Sequence, residues 1–153
     1  MNFTYTVKRD RFYYEIFYND ELIFVGKRKQ RLLRGDITQI YFASDNNLFA
    51  ELQEQYFMFF GFGYTINYMH DDKLIKIRNK FGVKDGVFDN KTYSIKYRLF
   101  TRDGNLYVDN QSVGQYTILD VDYSRKSFQI QTTTKEQCII FTMIEIAMDD
   151  WGI

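Results

Sequence analysis

From Ile139 to Met148 eight of ten residues are apolar, and the two exceptions, Thr142 and Glu145, stand one helical turn apart. At about 100° per residue, Cys138, Thr142, Glu145 and Asp149 fall within a strip roughly 60° wide, and the rest of the circumference is apolar. A helix lying on a sheet needs only one apolar stripe, so a helix like this one must be surrounded by lipid or by protein. Lipid fits poorly. A run of about sixteen residues spans about 24 Å against a hydrocarbon core of about 30 Å, and a carboxylate near its centre costs about 3 kcal/mol. Inside protein, each apolar side chain gains about 1.5–3 kcal/mol on burial. Thr133 with Glu136 gives a capping-box start, and Gly152 gives a stop. The strip with Thr142 and Glu145 is expected to reach solvent or a polar partner. On that reading Glu145→Gln is tolerated and Ile144→Asp abolishes folding.

What surrounds the helix reads as β structure. Four stretches resemble one another: "YEIFYNDELIFVG", "TQIYFASDNNLFAEL", "YTINYMHDDKLIKIR" and "YSIKYRLFTRDGNLYVD". Each carries an isoleucine in an alternating run (Ile16, Ile40, Ile66, Ile95), a polar turn, and a leucine opening a second run (Leu22, Leu48, Leu74, Leu106). The turns are rich in Asp, Asn and Gly, which tolerate left-handed backbone. A fifth unit, "QYTILDVDYSRKSFQIQT", turns at Tyr123 to Lys126, while "FTYTV" and "YFMFFGF" supply further strands. No blade signature points to a propeller, and a meander that closes on itself removes exposed sheet edges. Aromatics at 19% and the absence of proline favour the same class. The expectation is a single domain over residues 1–153: a closed antiparallel barrel of about twelve strands enclosing a hydrophobic C-terminal helix.

In "LIKIRNK", Ile75 and Ile77 point to one face, and Lys76, Arg78 and Lys80 to the other. In "YFMFFGFGY" both faces are aromatic, which reads as a strand buried on both sides, with Gly61 and Gly63 allowing a bend, or as a sticky patch.

Hairpins followed by a helix that fills the barrel resemble the Tubby C-terminal-like superfamily, with its LURP-one-related proteins and phospholipid scramblases. The segment from Tyr64 to Asp150 carries the likeness: "YTINYMHDDKLIKIRNKF" is similar to a strand–turn–strand unit of that family, and "TTTKEQCIIFTMIEIAMDD" to its closing helix with an acidic end. The first 60 residues match only through the hairpin repeat. The resemblance implies the helix-filled barrel and a cationic surface that holds phosphoinositide headgroups.

Chemistry-bearing patterns are sparse. Lys plus Arg equals Asp plus Glu at 20 each, so no overall field draws the chain to nucleic acid or an anionic membrane. One cysteine, Cys138, and one histidine, His70, exclude an internal disulfide and a Cys/His zinc site. His70 reads as a turn residue and Cys138 as a small core residue. The pairs Asp71 with Asp72, Asp120 with Asp122 and Asp149 with Asp150 lack calcium-loop spacing. No catalytic motif, metal or cofactor is expected. The N-terminus has no signal-like apolar core and no run reaches membrane-span length, so the chain is expected to be cytoplasmic, with at most peripheral membrane contact.

Two binding readings follow. The first is a non-catalytic module acting through a protein partner, as an adaptor or toxin-neutralising immunity protein does, with Tyr13, Tyr14, Tyr18 and Trp151 as anchors. The second is an anionic phospholipid or phosphoinositide-like headgroup held by Lys27, Arg28, Lys29, Arg31 and Arg34 together with Lys76, Arg78 and Lys80. Asp36, Glu51 and Glu54 stand close enough in sequence to neutralise the first cluster.

Overall fold

The computed structural model describes residues 2–31, 35–57, 60–68, 73–80, 83–98, 103–122 and 124–147, with side chains between 55 and 83 outside the description. The chain is mainly β, with one C-terminal helix packed on a large antiparallel sheet, as the alternation predicts. Among the described residues the strands are β1 (Phe3–Asp10), β2 (Tyr13–Tyr18), β3 (Glu21–Lys29), β4 (Ile37–Phe42), β5 (Leu48–Phe57) and β6 (Phe60–Tyr68), followed by β7 (Lys73–Lys80), β8 (Val83–Phe88), β9 (Lys91–Tyr97), β10 (Gly104–Val108), β11 (Gln111–Val121) and β12 (Arg125–Thr132). The helix, α1, is Lys135–Ala147. Each strand pairs antiparallel with the next, and β1 also pairs with β12, so the strand order runs around a closed barrel.

Local sequence explains the meander. Two-residue turns of type I′ need positive φ at both central positions, and Asn19–Asp20 (49° and 63°), Asp89–Asn90 (51° and 60°) and Asp109–Asn110 (49° and 67°) supply it with residues that tolerate left-handed backbone. The strand of Ile95 and the strand opened by Leu106 pair as the repeat predicts, with Leu106 facing Ile95, and Asp109–Asn110 adds a further turn that joins β10 to β11. At the other end of β11 the fifth turn is shorter than expected, because Lys126 already lies within β12.

Alternate residues point inward, and Val7, Ile16, Ile40, Leu52, Ile95, Leu106, Phe128 and Ile130 are all buried. α1 packs most closely on β1 and β12 and also touches β5, β6 and β8. Eight strands leave room only for their own side chains, and a larger ring needs a filler about as wide as a helix. Nine of the thirteen helix residues are buried, so the all-round apolar character meets walls on several sides.

One helix expectation is corrected and another is narrowed. The N-cap is Thr134, not Thr133: its Oγ1 accepts the Gln137 N–H at 3.2 Å and its carbonyl accepts the Cys138 N–H at 3.2 Å. Of solvent or a polar partner, the polar strip does not reach solvent. Thr142 (2% exposed) donates its hydroxyl to the Cys138 carbonyl at 2.7 Å, and Glu145 (1% exposed) finds partners on the barrel wall. Gly152, Asp149 and Asp150 lie outside the described residues.

Candidate functional site

β1 and the helix run toward the same end of the barrel, where β8 and β12 begin and β9 finishes. There the inward-facing positions stop being apolar. Lys84 follows the parity of Gly86 and Phe88 on β8, and Lys126 that of Phe128 and Ile130 on β12. Both reach Glu145 on the last turn of α1. Lys84 Nζ lies 3.2 Å from Oε2 and Lys126 Nζ 3.7 Å from Oε1, and the Tyr97 hydroxyl donates to Oε2 at 2.5 Å. Lys84 also sits over the Tyr97 ring and Lys126 over the Phe128 ring, at 5.2 and 5.5 Å from the centroids. Buried Arg9 shares a rung with Lys126 on one side and Tyr14 on the other.

Burial alone would push the Glu145 carboxyl pKa up. Lys84, Lys126 and the Tyr97 hydroxyl outweigh it and hold the pKa below the ordinary carboxylate value. The helix has no basic residue in its last turn, and these lysines from the wall supply cations near the negative end of its dipole. With Lys84, Lys126 and the Tyr97 hydroxyl all on its carboxylate, Glu145 fastens the last turn of the helix to the wall. Sequence reading missed it, although a lysine at a core parity position on each strand was the available signal.

On the opposite side of this end, Arg28 also turns inward. Its Nε lies 2.8 Å from Asp36 and its Nη2 4.0 Å from Glu54. Desolvation lowers its pKa, but Tyr14 and Asp36 outweigh that and leave it raised. Gly35 fits here because a Cβ would stand 1.9 Å from the Glu54 carbonyl oxygen.

The basic run is therefore divided. Lys27 and Lys29 are exposed on β3, Arg28 serves Asp36 and Glu54, and Arg31 Nε donates to the Gly35 carbonyl at 2.8 Å. Arg34 lies outside the described residues. Lys76, Arg78 and Lys80 lie on β7, and β4, β5 and β6 separate that strand from β3. At about 4.8 Å per strand, β3 and β7 stand about 19 Å apart along the sheet.

The tyrosines divide too. Tyr13 is 59% exposed, whereas Tyr14 is 1% exposed and cannot serve as a surface anchor, because neighbours in a strand face opposite ways. Tyr18 is half-buried against Phe3 and Tyr5, with ring centroids 6.3 and 5.6 Å away. Trp151, His70, Asp71 and Asp72 lie outside the described residues, as do the side chains of the "YFMFFGFGY" stretch. Cys138 is buried, and desolvation raises its thiol pKa to about 11. Among the described residues no three His, Cys, Asp or Glu side chains are grouped as a metal site, and no helix is long and apolar enough to cross a membrane.

No family model, curated protein or solved structure matches the chain.

Proposed function

We propose that the chain is a non-catalytic binding module that works through a protein partner, in the manner of an adaptor or an immunity protein, on a helix-filled barrel of the Tubby C-terminal-like kind. The observation that carries this reading is Tyr13. It stands 59% exposed, in register with Lys27 on β3 and Asp10 on β1, and Asp10 lies 3.7 Å from Arg125 on β12. Leu119 and Val121, at the same end of β11, are also exposed. An aromatic ring ringed by charges of both signs suits a partner surface of mixed charge, and tyrosine is among the residues that most often anchor such contacts.

The test is a photoreactive residue at position 13, with one at Lys91, at the other end of the barrel, as control. Crosslinking in the native cell to one protein from position 13 alone, with affinity weakened by about 2 kcal/mol in Tyr13→Ala, is expected. Equal crosslinking from both positions, or unchanged affinity, would overturn the reading.

The anionic-headgroup reading keeps support from exposed Lys27 and Lys29. Vesicles containing phosphatidylserine or phosphoinositide would retain the protein at low salt and release the Lys27→Ala/Lys29→Ala variant.

A further inference from the structure

The ladders of β2, β3 and β4 recur in β10, β11 and β12 at a constant offset along the chain. Ile16 faces Phe24 as Leu106 faces Gly114, and Phe17 faces Leu22 as Tyr107 faces Ser112. Val25 faces Tyr41 as Gln115 faces Gln131. Both units break register at the same rung, leaving one bulged residue, Ile23 or Val113. The carbonyl of each bulged residue accepts from the third strand's end: Ala43 N–H to Ile23 at 3.0 Å, Thr133 N–H to Val113 at 3.2 Å. The backbone is thus built twice in the same way.

The side chains are not. Around the first bulge stand Leu22, Ile23, Phe24, Val25, Tyr41 and Phe42, with the Phe24 ring 5.3 Å from Phe42 and 4.4 Å from Phe49. The matching positions in the second unit are Ser112, Val113, Gly114, Gln115, Gln131 and Thr132. With Asn2 and Asn105 these line a groove of about 250 Å³. Gly114 cannot be replaced by a filling side chain, since a Cβ there would stand 1.8 Å from the Gln131 carbonyl oxygen. What is packed with aromatic and aliphatic groups in one unit is open and polar in the other, and no charged residue lines it.

We propose that this groove is a binding site for a neutral, hydroxyl-rich ligand of the saccharide class. Asn105, Gln115 and Gln131 follow one another across β10, β11 and β12; the Asn105 Oδ1 accepts from Arg98 Nη2 at 3.4 Å, which leaves its NH2 to donate, and each glutamine carboxamide carries two donor hydrogens and an acceptor oxygen. Sugar hydroxyls donate and accept in the same way, so one face of a sugar can satisfy a row of amides, with Ser112 adding a hydroxyl and Val113 an apolar contact. A phosphate would want cations, which the lining lacks. A peptide strand would want an unpaired sheet edge, and β10, β11 and β12 are each paired on both sides. The volume lies just below the usual range for drug-sized ligands, which suits one or two sugar rings. The groove lies toward the end of the barrel opposite Tyr13, so this proposal and the partner reading stand or fall separately.

The test is a titration of the isotope-labelled full chain with glucose, galactose, mannose, N-acetylglucosamine, maltose and lactose through the millimolar range, read by NMR amide shifts. Saturable shifts with at least one sugar are expected, confined to the backbone of residues 112–115 and 131–132 and to the side-chain amides of Asn105, Gln115 and Gln131. Ser112→Leu/Gln115→Val, which copies Leu22 and Val25 from the filled unit, should weaken binding by at least about tenfold. Gln131→Ala, a milder change, should weaken it with the rest of the spectrum intact, while Glu15→Ala, at an exposed position on β2, leaves it unchanged. The proposal is overturned if no sugar gives saturable shifts, if they fall elsewhere, if inorganic phosphate reproduces them, or if folded Gln131→Ala binds like the parent.

Discussion

Lys84 Nζ on β8 lies 3.2 Å from the Glu145 carboxylate on α1, joining the wall to the helix across 61 residues of chain. Lys126 approaches the other carboxylate oxygen at 3.7 Å, and both lysine side chains are largely buried, at 15% and 8% exposed. The pair of lysines makes Glu145 a fastening whose loss leaves buried charge behind.

Glu145→Gln is therefore expected to destabilise the fold by about 3–5 kcal/mol, because Lys84 and Lys126 lose their counter-charge in a poorly solvated place. Chemical denaturation should show a lowered midpoint with an unchanged slope. Adding Lys84→Met should cost less in the Glu145→Gln background than in the parent, with a coupling of about 0.5–3 kcal/mol.

The same carboxylate sets a pH dependence. Its folded pKa lies below the unfolded value of about 4.3, so as pH falls the unfolded chain takes up the proton first. The stabilisation is fully present above the unfolded pKa and is lost as pH drops through the folded one. Melting temperature should fall more steeply below about pH 4.3 in the parent than in Glu145→Gln.

Tyr13 and Tyr14 differ by one position and by almost their whole exposure. Tyr14→Ala should cost about 3–5 kcal/mol in stability, as buried aromatic truncations do, and Tyr13→Ala no more than about 0.5 kcal/mol. Thermal melts of the two variants check this directly.

Cys138 reports on opening of the fold. Its thiol is buried, its pKa raised to about 11, and its Sγ lies 3.2 Å from the Ile130 carbonyl. Iodoacetamide at pH 8 should label it only as fast as the helix leaves its place, and at the free-thiol rate in denaturant.

The sequence carried the coarse fold because that information is local. Alternation at Ile16, Ile40 and Ile95 and turn residues such as Asn19–Asp20 each specify strand, face and reversal within a few positions. The helix was legible through its all-round apolar character. Of the two alternatives for its polar strip, solvent or a polar partner, the second holds for Glu145, but the partners could not be named because they lie on β8, β9 and β12, far away in sequence, and their lysines look like surface residues in isolation. The Thr133 cap was one residue out, since Thr133, Thr134, Glu136 and Gln137 allow two equivalent capping frames. Arg28 could not be separated from Lys27 and Lys29 by composition, and strand parity was the clue that it turns inward toward Asp36. The likeness between the two bulged units was hidden because Phe24 and Gly114 share a backbone role and no chemistry.

Hydrogen exchange on α1 tests the central claim, that the C-terminal helix belongs to the interior and is held there by Glu145. The amides of Thr142, Met143, Ile144, Glu145 and Ile146 should exchange only through global unfolding, with protection equal to that of Ile130 in the wall, and Glu145→Gln should lower both together. Helix amides that exchange by local opening while Ile130 stays protected would contradict it.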